Sequence, residues 1–263
     1  ELKKYKKPEV ILEKTPDIKI PAFVNYKDGK WSYQGEAVKS WVSNDFRGIL
    51  AMATGTGKTI TSMIALSTII ENHSPLLVVI SANKRALVNQ WKKECQNFGI
   101  EPLLFEGKNR ESKLWSLGMK LESGAKNLGV IIMTDNILVR DETHDALEKI
   151  GVKKLHIGDE VHNLGAKSFI KNPANFFDFR LGLSATPDRQ YDEEGTDEIF
   201  DYFGNKRDSE KNTPIFEFGL KEALDAGVLV PYDYFIHEVY LTEPELEHFD
   251  ELTEKISKKF LVS

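Results

Sequence analysis

Five short, continuous apolar runs, separated by longer stretches with helical spacing, restrict this chain more than any other feature. The runs are GILAMA (48–53), LLVVIS (76–81), GVIIMT (129–134), KLHIGD (154–159) and FRLGLSA (179–185). A strand with one face in water alternates apolar and polar residues. A run without alternation suits a strand buried on both faces, as in a parallel sheet covered by helices. The stretches between the runs read as helices: 58–72, then 83–98 with Leu87, Trp91, Cys95 and Phe98 at helical spacing, then one or two more over 134–150. Such alternation predicts βαβ units, and so an α/β fold whose mostly parallel sheet is flanked by helices on both faces.

After Pro187 the pattern loosens. Residues 188–213 are acidic and polar and read as a connection with a short helix near Glu198–Phe203. IFEFGL and a short helix through Ala223 follow, and then YDYFIHEVYL alternates as a strand would. Residues 243–262 read as an amphipathic helix, with Thr242 as cap, Glu245 three residues on, and Leu246, Phe249, Ile256 and Phe260 on one side. The chain thus divides into a lysine-rich lead-in (1–29), a main domain (30–230) and a strand and helix leading out of it (231–263). No internal repeat interrupts this order.

The 263 residues suffice for one large α/β domain, or for one domain and part of a second. No apolar run approaches the roughly 18 residues of a membrane span. The lysines of ELKKYKKPEV have no apolar stretch behind them, so no secretory signal is expected. Glu1 stands where a Met would start a complete chain, so a piece of a longer protein is expected. The single cysteine, Cys95, excludes an internal disulfide and fits a reducing compartment, which points to a cytoplasmic or nucleoid-associated protein, neither secreted nor membrane-bound. A net charge of -6 does not by itself suggest a phosphate-gripping surface. The charge is uneven, however. Lys3, Lys4, Lys6, Lys7, Lys14, Lys19, Lys27 and Lys30 crowd the start, and acids crowd 188–201 (Asp188, Asp192, Glu193, Glu194, Asp197, Glu198, Asp201) and 243–254.

The strongest local signal is MATGTGKT, Met52–Thr59, which follows the first apolar run and opens a helix. Small residues let the backbone N–H groups of Thr54, Gly55, Thr56 and Gly57 turn around phosphate oxygens, and the helix N-terminus adds partial positive charge. In that arrangement Lys58 bridges the β- and γ-phosphates, and the Thr59 hydroxyl holds Mg²⁺. Met52 occupies the place of the first Gly of the general pattern. A later apolar run ends in Asp159 and Glu160, with Gly158 just before them. Strand ends converge on one edge of a parallel sheet, where ligands bind. Asp159 can there hold the water shell of Mg²⁺, and Glu160 can orient and deprotonate an attacking water.

Asp159-Glu160-Val161-His162 resembles the DEAD/DEAH-box signature of superfamily-two helicases and translocases. Ser184-Ala185-Thr186-Pro187, after the last run, resembles that family's motif III, and the three motifs stand in the family's order. The resemblance covers residues 30–190. It implies the first RecA-like P-loop NTPase domain of such a motor, with ATP and Mg²⁺ bound. It assigns Lys58, Asp159, Glu160 and His162 to catalysis, Thr59 and Asp159 to the metal, and Ser184 and Thr186 to coupling. Tyr33-Gln34 with Ala37 resembles the family's Q motif, in which the Gln reads the adenine edge, although Lys30 and Trp31 stand where an Arg is common. VVISANKRALVNQW (78–91) resembles motif Ia without its Pro. This implies contacts from Ser81, Lys84 and Arg85 to a nucleic-acid backbone, with Gln90 and Trp91 serving packing and orientation. Thr134 resembles the phosphate-binding Thr of motif Ib. DEVHNLGA and EFGLKEALDAGVLVPYDY are most similar to the branch of XPB-like helicases and restriction-enzyme motor subunits.

Motors of this family use two RecA-like domains, the second supplying Arg residues to the reaction. No second-domain motif stands here, so the chain is expected to end as that domain begins, and to bind ATP but hydrolyse it slowly at best. The resemblance favours double-stranded DNA over RNA, in repair, restriction or antiphage defence, with a nuclease or methylase as a possible partner. A DExH-type RNA helicase is the nearest alternative. A non-translocating ATP-dependent switch is another, in which the acidic segments would bind partners.

Overall fold

Each of the five apolar runs is a strand in the computed structural model, which describes residues 18–164, 167–189, 191–233 and 235–260. In chain order β1 is Arg47–Met52, β2 Leu76–Ala82, β3 Leu103–Leu104, β4 Leu128–Thr134, β5 Lys153–Asp159, β6 Phe179–Ser184 and β7 Phe216–Phe218. They form one seven-stranded sheet in the order β3-β4-β2-β5-β6-β1-β7, parallel throughout. The helices are α1 Tyr33–Ser43, α2 Lys58–Ile70, α3 Arg85–Asn97, α4 Arg110–Glu122, α5 Asp135–Leu138, α6 Asp141–Glu148, α7 Lys167–Lys171, α8 Glu193–Phe203, α9 Leu220–Asp225 and α10 Glu243–Phe260. Packing divides the chain into Glu1–Val230 and Pro231–Ser263.

Successive strand residues point to opposite faces, and here both faces are covered. Val78 and Ile80 enter a core with Trp41, Ile64 and Trp91 of α1, α2 and α3. Leu77 and Val79 enter a second core with Leu121, Leu147 and Phe203 of α4, α6 and α8. Burying one such aliphatic side chain contributes about 1.5–3 kcal/mol, so alternation is absent because each position is worth burying. Gly158 and Gly182 are cross-strand partners on β5 and β6. A Cβ at Gly158 would stand 2.8 Å from Cζ of Phe203, and one at Gly182 3.2 Å from its Cγ. The two glycines therefore form the slot that seats this ring.

One polar network lies inside the second core. His156 is fully buried; its Nε2 stands 3.0 Å from Ser81 Oγ and its Nδ1 2.9 Å from the Tyr202 hydroxyl. Burial pushes its pKa down to about 3, so the ring is neutral, one nitrogen donating and the other accepting. Arg180 lies 4.1 Å from the Tyr202 ring centroid and donates to the carbonyls of Tyr202 (2.6 Å) and Asn175 (3.1 Å).

Two expectations need correction, and two elements stand where the sequence predicts none. The helix expected near Glu198–Phe203 starts five residues earlier, at Glu193 (198 − 193). Asp192 accepts from the Gly195 N–H as its cap, and the first-turn acids Glu193 and Glu194 sit favourably at the positive end of the helix. The alternating segment 232–241 is not a strand among its described residues, and Tyr232, Phe235, Ile236, Val239 and Tyr240 are exposed. Alternation alone does not make a strand, which needs a neighbour to satisfy its backbone. Finally, β3 and α4 arise from residues to which no element had been assigned. Within Pro231–Ser263, α10 is capped as expected: the Thr242 N–H and hydroxyl both donate to Glu245 Oε2, at 2.8 Å. Lys3, Lys4, Lys6, Lys7 and Lys14 of the lead-in, Gly165 and Ala166 of DEVHNLGA, Tyr234 and residues 261–263 lie outside the described residues. No described helix is long and apolar enough to cross a membrane.

Candidate active site

β5, β6 and β1 are consecutive in the sheet, and their C-terminal ends are level: Ala51 pairs with Ser184, and Leu183 with Asp159. Motifs far apart in sequence are thereby set about 4.8 Å apart per strand along one rim.

The loop after β1 turns on Gly55 (φ 86°) and Gly57 (φ 82°), a left-handed conformation that costs an L-residue energy and glycine little. A Cβ at Gly57 would also meet Gln34 Nε2 at 2.7 Å. Helix α2 starts at Lys58 without a side-chain cap, so its first-turn N–H groups are left to another acceptor. Thr54 and Gly55 are exposed, Thr56 is buried, and Gly57, Lys58 and Thr59 are partly buried. Tyr33 and Gln34 brace the loop from α1. The Tyr33 hydroxyl donates to Thr56 O at 2.5 Å, and Gln34 Nε2 reaches the same oxygen at 3.5 Å. Gln34 is itself buried against the loop.

Lys58 Nζ donates to Met52 O at 3.2 Å and pairs with Glu160 Oε1 at 3.5 Å. Glu160 holds φ 49°, ψ 55°, a left-handed conformation that costs a non-glycine residue about 1–3 kcal/mol and recurs where function imposes it. Its Oε2 stands 3.6 Å from His162 Nδ1, which is 3.0 Å from Ser184 Oγ. Ser184 Oγ accepts in turn from the Thr186 N–H at 3.2 Å. The Asn163 amide nitrogen is 3.0 Å from His162 Nε2; with that amide donating, Nε2 accepts and Nδ1–H faces Ser184. Asp159, last residue of β5, is buried, and Trp91 Nε1 of α3 donates to its Oδ2 at 2.8 Å. Burial raises the Asp159 pKa, and the Trp91 hydrogen bond opposes that rise.

Lys58, Asp159, Glu160, His162, Ser184 and Thr186 therefore share one rim. Lys84, Arg85 and Thr134, singled out for nucleic-acid contact, stand further along the same edge of the sheet, after β2 and at the end of β4. Lys84 and Arg85 are exposed at the turn into α3, and Arg85 pairs with Glu106 at 3.0 Å on the surface. Thr134 is partly buried at the end of β4. Ser81 requires correction as a backbone contact: it is fully buried and its hydroxyl is bonded to His156. Sequence reasoning missed Asn163 and also Arg189, which donates to His162 O and Asp192 and so ties the acidic turn to the start of α8. Neither has a sequence signal beyond adjacency to a motif.

Asp135 opens α5, and its Oδ1 is buried without a partner. Burial pushes its pKa up to about 6 from 3.8. The folded state thus holds a proton that the unfolded state releases between about pH 4 and 6, so stability falls as pH rises through that window. Asp135→Asn should be the more stable protein above pH 6, by about 1–3 kcal/mol, and equal to the parent below pH 4. Urea denaturation at the two pH values checks this.

Among the described residues no three His, Cys, Asp or Glu side chains cluster as a metal site. One carboxylate and one hydroxyl, Asp159 and Thr59, nevertheless suit Mg²⁺. It binds through one or two carboxylates with phosphate and water oxygens completing the shell, rather than in an all-protein cage. The uncapped start of α2 and the left-handed glycines of the loop suit the phosphates.

Residues 30–189 match the family model described as type III restriction enzyme, res subunit. A protein named as a candidate helicase, number 22, from Sulfolobus islandicus filamentous virus (isolate Iceland/Hveragerdi) is 28% identical over 165 residues, which cover 60% of this chain and 28% of that protein. The type I restriction enzyme EcoAI endonuclease subunit of Escherichia coli is 23% identical over 218 residues, or 79% of this chain and 24% of that subunit. The chain thus spans 28% and 24% of the lengths of these two relatives. Among solved structures, the ATP-dependent type ISP restriction-modification enzyme LlaBIII bound to DNA superposes with a TM-score of 0.57 at 20% identity, covering 80% of this chain and 16% of that one. That likeness is one of fold: a RecA-like domain.

Proposed function

Because the chain belongs to the family of the type III restriction enzyme res subunit, we propose that its RecA-like domain is the ATP-hydrolysing half of a motor that moves on double-stranded DNA, in restriction, repair or antiphage defence. The observation that carries this reading is the unbroken series Lys58–Glu160–His162–Ser184–Thr186, which joins the phosphate loop to the ends of β5 and β6. Such a series can sense a terminal phosphate and pass its loss to another element.

In this reading ATP is the substrate. The loop Thr54–Thr59 wraps its phosphates, Gln34 reads the adenine, and Thr59 and Asp159 hold Mg²⁺, which offsets charge on the phosphate oxygens. Glu160 takes a proton from water as the water oxygen bonds to the terminal phosphorus and the bond to the ADP oxygen breaks. Lys58, freed from Glu160, balances the charge that develops on the phosphate oxygens. His162 follows the change at Glu160, and Ser184 and Thr186 carry it along β6. Lys84, Arg85 and Thr134 grip the DNA backbone. The surface pair of Arg85 with Glu106 opposes this little, since such pairs contribute about 0–1 kcal/mol. A second RecA-like domain of the full-length chain supplies the Arg residues that complete the site, in a cytoplasmic or nucleoid-associated protein beside a nuclease or methylase.

ATP turnover by the full-length protein should rise with duplex DNA and not with RNA, and the stimulation should fall as salt rises. Stimulation by RNA alone would replace the polymer, and indifference to both would favour a non-translocating switch. The 263-residue chain alone should turn over slowly with or without DNA.

A further inference from the structure

The indole of Trp91 donates to Asp159 across 68 positions of sequence, from the middle of α3 to the end of β5. Trp91 is 1% exposed, packed in the core that also holds Val88, Cys95 and Phe98. Among the described residues it is the only side chain that hydrogen-bonds the Asp159 carboxylate, and it does so at Oδ2.

The choice of donor matters chemically. An indole N–H donates and cannot accept, so it cannot displace the carboxylate from a metal. It carries no charge, so unlike Lys or Arg it neither repels a cation nor competes with one for the carboxylate. Its rigid ring, fixed by packing on all sides, allows the acceptor few orientations. A hydroxyl or amide at the same place would rotate. Groups that orient a metal-binding carboxylate without touching the metal are worth much of its affinity.

We propose that Trp91 is a positioning residue for the Mg²⁺ site: by holding Oδ2, it sets the Asp159 carboxylate so that Oδ1 faces the metal. The helix that follows the motif Ia-like turn is therefore part of the metal site and not only packing. This rests on the reading that Asp159 holds Mg²⁺, and the test separates the two.

Binding of a fluorescent ATP analogue to the full-length protein is measured with no Mg²⁺ and across a Mg²⁺ titration, for the parent, Trp91→Phe and Asp159→Asn. Phenylalanine keeps a flat ring and removes the donor. Trp91→Phe should keep the Mg²⁺-free affinity of the parent, while the Mg²⁺ concentration for half-maximal enhancement rises about 10- to 100-fold. Asp159→Asn should lose the enhancement. An unchanged Mg²⁺ requirement in Trp91→Phe, with enhancement lost in Asp159→Asn, would overturn the role of Trp91 alone. So would an equal loss of affinity with and without Mg²⁺, which is what simple damage to packing produces. Enhancement that survives in Asp159→Asn would overturn the metal assignment itself. If Trp91→Phe does not fold, the unaltered protein decides: the ¹⁵N-labelled indole N–H of Trp91 should shift on adding Mg²⁺ to the nucleotide complex, and an unmoved resonance would overturn the proposal.

Discussion

Replacing Glu160 by Gln should lower DNA-stimulated ATP turnover of the intact protein by about two to four powers of ten, while nucleotide affinity stays within a few-fold. Gln has the same shape and can still occupy the left-handed turn at φ 49°. It can still accept from Lys58, now 3.5 Å from Oε1. What it cannot do is take a proton from water. The fall should therefore appear in kcat and not in nucleotide binding. In the proposed cycle hydrolysis releases the ATP-bound state, so the variant should also hold DNA more firmly with ATP than with ADP. Single-turnover hydrolysis and DNA binding under the two nucleotides check both halves. Full turnover in Glu160→Gln would remove Glu160 from the chemistry.

The largest effect on stability is expected from Phe203→Ala, about 3–5 kcal/mol, because the ring is fully buried and its slot cannot collapse. The slot is lined by backbone at Gly158 and Gly182, and paired strands do not move inward to fill a void. The ring also stacks beside His156 at 5.5 Å and meets Tyr202 edge-on at 4.9 Å, so both lose a neighbour. In a domain of this size the loss lowers Tm by roughly 6–20 °C. Gly158→Ala alone should cost about 1–3 kcal/mol by overpacking, and less in the Phe203→Ala background, where the contacts with Val161 Cγ1 (2.9 Å) and Leu164 Cδ1 (3.2 Å) remain. Additive costs in thermal or urea denaturation of the four proteins would show that the slot is not the reason for the glycines.

The central strands could be read from sequence because burial on both faces leaves them few polar positions, and Ser81, His156 and Arg180 find their hydrogen bonds inside the core. The same reasoning could not find β3, where Leu103 and Leu104 are only two residues. Nor could it find α4, whose apolar positions are mixed with Gly118 and with the exposed Trp115 and Met119. The start of α8 was hidden because acids read as loop, although three of them are what a helix N-terminus favours. In the candidate site, the Gly-rich turn and the acidic pair could be located from sequence because each is a short contiguous pattern at the end of an apolar run. Ser81 misled because the motif-like order of residues around it says nothing about which way a side chain points inside a sheet. The helical spacing of Trp91 foretold its burial, but its partner belongs to another strand and only the folded chain brings the two together.

The strand order has a consequence for how the protein is made. β1 is the first strand to be synthesised, yet both its partners, β6 and β7, are among the last. β2, β4 and β5 can pair with one another well before that, as neighbours with nothing missing between them. The nascent chain must therefore carry its Gly-rich loop on an unpaired strand for more than a hundred residues, from Met52 to Phe179 (179 − 52 = 127). β6 is the piece that closes the gap, and it brings Ser184 with it. The rim that carries Lys58, Glu160 and Ser184 is therefore complete only once β6 joins β1 to β5.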